Sequence, residues 1–250
     1  STQAKTLFPY TTLFRSVFAW AQHTGAECWF ESIAVVSGPD GDELWFSAEV
    51  NGTRVILRTD PTTLNRNPSE YAADEAVHVD CAVLKSGAAF TTVTIPSCLV
   101  GCEVVVKYAN GTTETKSPSG TTLTVNSTTS VIVGIAIDST AQTMRLEYAM
   151  KDGTAQGRAI KPTRATVRVK SSQGGRVRCG EGAWEILKYP RDDSSYTGAV
   201  LANIASSFKN DGTVTLNHSE PWPMVVTGMI LRVDVGDDPA HQFIEQDSIA

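Results

Sequence analysis

The chain has little of what catalysis and cofactor binding usually need. Only four histidines occur in 250 residues, at His23, His78, His218 and His241, far apart from one another. No G-x-x-x-x-G-K loop is present, no G-x-G-x-x-G follows a strand, and no G-x-S-x-G elbow appears. These absences remove the sequence signatures of P-loop nucleotide binding, dinucleotide binding and hydrolase-type acyl transfer. No apolar run approaches the ~20 residues of a membrane-spanning helix. Cysteine is sparse and odd in number: Cys28, Cys81, Cys98, Cys102 and Cys179. C-x3-C at Cys98 and Cys102, with no second Cys or His pair nearby, is a poor zinc pattern. Buried free thiols in a reducing cytoplasm are expected, rather than the disulfide framework of a small secreted domain.

Acidic and basic residues are unevenly spread. The formal net charge is −6. Residues 151–180 hold eight Lys or Arg against one acid, Asp152, so this stretch is +7 and the remainder carries −13. A basic cluster can serve nucleic acid. Here no aromatics interleave with the charges to stack on bases. Several of the cations instead alternate with Val167, Val169 and Val177, as on the solvated face of a strand. A segment of one sign in a chain of the other suits contact between subunits. Lys161, Arg164, Arg168, Lys170, Arg176 and Arg178 are therefore the candidate subunit-interface residues.

What is plentiful is β pattern. The run DELWFSAEVNGTRVILRTDP (42–61) is two β-rich stretches joined at Asn51-Gly52, a strong hairpin signal. Upstream, FESIAVVS ends at a Gly-Pro-Asp-Gly turn. Together they suggest a small antiparallel sheet or a propeller blade. Residues 62–75 are polar and without period, and read as a connector. Over 77–140 a separate small β domain is expected, with Val104, Val106 and Tyr108 on one face and Glu103, Val105 and Lys107 on the other. Its turns fall at Asn110-Gly111 and at 117–120, with SVIVGIAI as a central strand. A barrel or sandwich of about five or six strands would accommodate these segments. Strands resume at ATVRVK, with a loop or hairpin tip at 171–175. Residues 182–212 have no consistent period and read as an extended excursion. Val214 and Leu216 point inward on the next strand, followed by a Pro-Trp-Pro corner. The final strand sets Leu231, Val233 and Val235 opposite Arg232 and Asp234. The tail from Asp238 is polar and expected to fray.

Other residues invite a chemical reading and also have a plainer one. His78 and Asp80 in HVDC lie on one side of an extended chain and could share a metal, but a strand-edge hydrogen bond explains them. The carboxylates Asp40, Asp42 and Glu43 are too few and too irregular for a calcium loop. A glycosidase needs two carboxylates converging across a sugar, and a charged turn capping a hairpin accounts for these three. Asn51, Asn110, Asn126 and Asn217 fit N-x-Ser/Thr, with turn roles explaining the first two. Trp20, Trp29, Trp45, Trp184 and Trp222 could stack on sugars, although most should be core or interface anchors. No catalytic, cofactor or metal residues are assigned.

The order of the segments resembles the C-terminal part of bacteriophage tail nozzle proteins, also called tail tubular or tail stabilisation proteins. ESIAVVSGPDGDELWF and PWPMVVTGMILRVDVGD are the most specific pieces, and the likeness spans nearly all of 27–237. It implies an all-β fold of propeller-like antiparallel sheet segments with a small inserted β-barrel or sandwich domain. It also implies a non-enzymatic virion protein, assembled in the bacterial host cytoplasm. Its subunits would form a homo-oligomer, typically a hexameric ring, below the portal and adaptor proteins. DNA would pass through that ring without sequence recognition. The alternatives are a glycan-binding or glycan-degrading tail module and a secreted β-sandwich adhesin. A second likeness concerns TLFPYTTLFRS (6–16), which matches residue for residue the in-frame translation of a common sequencing adapter. Residues 1–16 are accordingly expected to be artefact and disordered, with the natural sequence starting near Val17 inside a longer protein. The expected organisation is then 17–66 as a partial propeller-like sheet, 77–140 as the small β domain, 151–237 as a C-terminal β region and 238–250 as a flexible tail.

Overall fold

A computed structural model describes residues 5–12, 15–22, 28–38, 41–60, 77–145, 149–150, 153–154, 158–190, 195–208 and 212–236, with the backbone alone for 5–12, 15–22, 149–150 and 153–154. The connector expected at 62–75, the tail from Asp238, and Asp40, His23 and His241 lie outside the described residues. All strand pairing is antiparallel, and apart from one 3-10 turn at Ser97–Leu99 the described residues form strands, turns and loops. The all-β expectation holds. No sheet among the described residues closes on itself. The chain divides into two compact units, Ser1–Ile137 and Asp138–Ala250.

In the first unit, β1 (Lys5–Thr12) and β2 (Arg15–Gln22) form a two-stranded hairpin that takes in the adapter-like tract. β3 (Cys28–Gly38), β4 (Gly41–Val50) and β5 (Thr53–Arg58) follow as a meander in that order. The β4–β5 turn is Asn51-Gly52, with φ of 47° and 73°. Two consecutive positive φ angles are what a tight two-residue hairpin requires, and Asn followed by Gly supplies them at least cost. Asn51 also donates from Nδ2 to the Val100 carbonyl, 2.9 Å away, anchoring the tip.

β6 (Val79–Thr94), β7 (Val104–Tyr108), β8 (Thr113–Lys116) and β9 (Thr122–Ala136) make a four-stranded sheet in the order β6-β9-β7-β8. This open four-stranded sheet stands where a barrel or sandwich of about five or six strands was expected. The Ser/Thr-rich run after Gly120 is β-compatible throughout, so it continues into SVIVGIA as one long strand instead of turning. One core lies under the meander and this four-stranded sheet. Val93, Leu99, Val104, Val106 and Val133 meet Cys28, Ala48 and Val50 from the near end of the meander, with Phe30, Val55 and Leu57 packed against them. Each fully buried Val contributes about 1.5–3 kcal/mol by leaving water. Val104, Val106 and Tyr108 face this core as expected, but Lys107 is also buried, at 2% exposure, opposite Ile132 in the register. The far half of the meander runs on past the core, leaving Ile33 and Val35 exposed.

The second unit contains β10 (Ser139–Gln142), the short pair β11 (Ala149–Met150) and β12 (Gly153–Thr154), β13 (Ile160–Ser172), β14 (Arg176–Cys179), β15 (Glu185–Ile186), β16 (Tyr196–Asn203), β17 (Val214–His218) and β18 (Val225–Val235). Two sheets, ordered β16-β13-β18 and β10-β17-β14-β15, share a core. The first contributes Ala165, Val167, Val169, Val200 and Ala202, and the second Val177, Cys179, Val214 and Leu216. β16 lies within the region expected to be an irregular excursion. Its alternation is real, with Val200 and Ala202 buried and Leu201 exposed, but it is carried by small residues that a hydrophobic pattern registers weakly. Leu231, Val233 and Val235 are half-buried opposite exposed Arg232 and Asp234, as their spacing indicates. Residues 171–175 are no hairpin tip. Ser171 and Ser172 end β13, 173–175 carry the chain on to β14 in the other sheet, and 219–224 make the corresponding crossing from β17 to β18.

Candidate functional site

The six basic residues singled out in the sequence separate onto two surfaces. Arg164 and Arg168 lie on the outer face of the β16-β13-β18 sheet, because Ala165, Val167 and Val169 occupy the inner one. Residues paired across antiparallel strands share a face, so the register defines this surface. Arg164 stands opposite Asn203 and Arg232, Thr166 opposite Leu201 and Ile230, and Arg168 opposite Ala199 and Gly228. Leu201 is 59% and Ile230 60% exposed, large values for aliphatic side chains in mid-strand. Lys170 is at one end of the row, opposite Val225. Lys161 is at the other, opposite Asp234, with its ammonium 5.7 Å from the Phe208 ring centre.

The electrostatics of that face are unbalanced. Arg164 and Arg232 are like charges directly opposed across a ladder, an arrangement that costs stability. Among the described residues no acid forms an ion pair with Arg164, Arg168 or Arg232. The surface therefore combines unpaired guanidinium groups with exposed aliphatic area on a flat, regular scaffold. Arg232, Leu201 and Ile230 escaped the sequence reading because only the register brings them beside β13.

Arg176 and Arg178 point from the outer face of the other sheet. Their guanidinium carbons are 4.7 and 4.3 Å from the centre of the Trp184 ring, within cation–π range. Arg176 Nε donates to Asn217 Oδ1 at 2.8 Å. Arg178 Nη1 lies 3.6 Å from Glu181 Oε2. Asn217 is only 3% exposed, and its Nδ2 donates to the Asp138 carboxylate and to Thr140 Oγ1 at 3.2 Å. A side chain so enclosed is no glycan acceptor. Its sequon is incidental to a structural role.

The remaining candidates resolve individually. Glu43 is buried and accepts from Trp45 Nε1 at 3.0 Å and Arg58 Nη1 at 3.2 Å, while Asp42 accepts from Ser37 Oγ at 3.1 Å. Each carboxylate is used locally. Among the described residues no three His, Cys, Asp or Glu side chains are grouped to hold a metal, His78 and Asp80 included. Trp29 is largely exposed on β3, whereas Trp222 is buried in the Pro-Trp-Pro corner.

One polar cluster was not visible in the sequence. The two crossing loops of the second unit are bound side by side. Gln173 N–H donates to the Pro223 carbonyl at 3.0 Å, and Gly175 N–H to Glu220 Oε2 at 2.9 Å. Tyr189 OH donates to the Gly174 carbonyl at 2.6 Å, and His218 Nε2 is 3.2 Å from the Gln173 carbonyl. Burial and the Glu220 carboxylate push the Tyr189 phenol up to about 12. Burial lowers the His218 pKa, against the opposing pull of Glu220 and the Gln173 carbonyl. The cluster holds two loops together.

An all-β, antiparallel protein with an arginine-bearing open sheet face is what the fold and surface define. No protein-family model matches the chain, and no curated protein matches it. Among the described residues no helix is long and apolar enough to cross a membrane.

Proposed function

We propose that the protein is a structural component of a bacteriophage tail, a subunit of the nozzle ring through which DNA leaves the capsid. The observation that carries this reading is the outer face of β16-β13-β18, where Arg164, Arg168 and Arg232 have no ion-pair partner among the described residues and stand beside exposed Leu201 and Ile230. Arginine and aliphatic area together suit a protein–protein contact, and opposed like charges on one side of it favour an acidic partner surface. In this reading the acidic partner is a second copy of the chain, whose residues outside 151–180 carry a net −13. The meander adds support: its apolar face continues beyond its own core at Ile33 and Val35, as in a sheet that neighbours complete. In this reading the acidic balance of the ring keeps DNA from adhering to it.

The test is the assembly state of the full-length protein by light scattering at low salt. Arg164→Glu combined with Arg168→Glu should shift it toward monomer, by roughly tenfold or more in the association constant. Arg176→Glu, on the opposite surface, should shift it far less. Unchanged assembly in the double variant removes the interface role, and with it the main support for a ring subunit.

A further inference from the structure

We propose that Cys28 and Cys81 form a disulfide-forming pair that fastens the β3-β4-β5 meander to β6. The two thiols come from different sheets and meet in the core those sheets share. Cys28 opens β3 and is 6% exposed, and Cys81 packs against the same cluster. Their side chains are hydrogen-bonded to each other.

The backbone at Cys81 is unusual in a way that serves this contact. Its φ is 52°, in the left-handed region, and the pairing of β6 with β9 slips between Asp80 and Val83. A residue with a Cβ and no local polar side chain takes that conformation only when the surroundings impose it. Bulges of this kind re-aim a side chain. The fold thus accepts a strained residue near the start of β6, where Cys81 reaches Cys28.

The other cysteines are placed differently. Cys98 lies in the 3-10 turn beside the pair, and the Cys102 thiol donates to the Cys98 carbonyl at 3.5 Å. Cys179 belongs to the other unit. Among the described residues no three His, Cys, Asp or Glu side chains are grouped to hold a metal, the pair included.

The oxidant is a low-molecular-weight disulfide, R–S–S–R. One cysteine loses its proton and its thiolate attacks, giving a mixed disulfide and releasing one R–S⁻, which takes up that proton. The second cysteine, deprotonated in turn, attacks the protein sulfur of the mixed disulfide and releases the other R–SH. Two protein S–H bonds and one S–S bond become one protein S–S bond and two S–H bonds. Hydrogen bonding to Cys28 and burial both raise the Cys81 pKa, so Cys81 is held as a thiol in the fold. Exchange therefore proceeds through local opening of the β3 end, and the link then closes a long loop of chain.

The experiment treats the full chain with oxidised glutathione at about pH 8, where free thiols ionise, over a series of sub-denaturing urea concentrations. Samples are quenched in acid, alkylated, digested without reduction and mapped by mass spectrometry. The expected product is one linked peptide pair joining Cys28 to Cys81, forming faster as urea rises. It should persist in Cys98→Ala, and the oxidised chain should melt on the order of 10 °C higher than the reduced chain. Separate alkylation or glutathionylation of Cys28 and Cys81, or a dominant link through Cys98 or Cys102, overturns the pairing. A linked chain with unchanged Tm overturns the fastening.

Discussion

Gly134 marks how closely β6 is laid against β9. A Cβ at this position would stand 2.5 Å from Val79 Cγ2 and 2.7 Å from the Asp80 carbonyl oxygen. The second contact is with backbone, which cannot rotate away. It falls at the start of the bulge that turns Cys81, so a displaced strand would disturb that residue as well. Gly134→Ala should therefore destabilise the first unit by roughly 2–4 kcal/mol, read as a lowered urea midpoint with an unchanged slope. A loss below about 0.5 kcal/mol would mean that β6 can move aside freely, contrary to this packing. Asn217 shows a different kind of constraint at the same scale. Its amide is engaged on both sides, by Arg176 and by Asp138 and Thr140, so its identity is fixed by hydrogen bonding in a sheet and not by the Ser two positions on.

At the scale of elements, one carboxylate helps to join the two sheet crossings of the second unit. Glu220 reaches over the loop 173–175 to the Gly175 N–H, and any Cβ on Gly174, where φ is +76°, would collide with it. Glu220→Ala should cost about 1–3 kcal/mol, the penalty for leaving a buried N–H without its acceptor. Amide exchange should rise at 173–175 and 219–224 while the centre of β13 stays protected. Equal loosening of β13 would show that the crossings are not a local unit. These crossings also explain which parts of the protein were legible in sequence. Asn51-Gly52 could be read because two successive left-handed residues admit few alternatives. The faces of β18 could be read because Leu231, Val233 and Val235 alternate with Arg232 and Asp234, whereas on β7 only the core face was legible, since Lys107 is buried too. β16 could not, since Ala199, Ala202 and Gly198 carry too little hydrophobic contrast. The basic segment looked like one surface because 161–170 and 176–178 are neighbours in the chain. The loop between them changes sheet, and so sends Arg164 and Arg168 to one outer face and Arg176 and Arg178 to the other. No local pattern encodes that change, which depends on contacts between Gln173 and Pro223 from a segment far along the sequence.

At the scale of the molecule, two separate cores give the two units separate sensitivities, and protons distinguish them. His218 lies at the sheet crossing of the second unit, where burial holds it in the neutral form despite Glu220 and the Gln173 carbonyl nearby. In the unfolded chain the same imidazole has its ordinary pKa of about 6.5. The unfolded state thus takes up a proton that the folded state resists. The stabilisation from His218 is fully present above about pH 6.5 and is lost progressively as pH falls from there toward the lower folded value. Tyr189 acts at the other limit. Raised to about 12 in the fold, it contributes stability that is present below about pH 10 and is lost as pH rises through the folded pKa. In the core of the first unit Val104, Val106 and Val133 do not titrate. Lowering the pH from 7 to about 5.5 should therefore increase amide exchange, corrected for its intrinsic pH dependence, in β14, β17 and the crossing loops well before β7 and β9 respond. His218→Gln should flatten that acid limb while leaving the alkaline one, and Tyr189→Phe should do the reverse. If β7 and β9 loosen together with β17 at mildly acid pH, the two cores do not behave as separate cooperative units, and the proton sensitivity belongs to the whole chain instead of the crossing at His218.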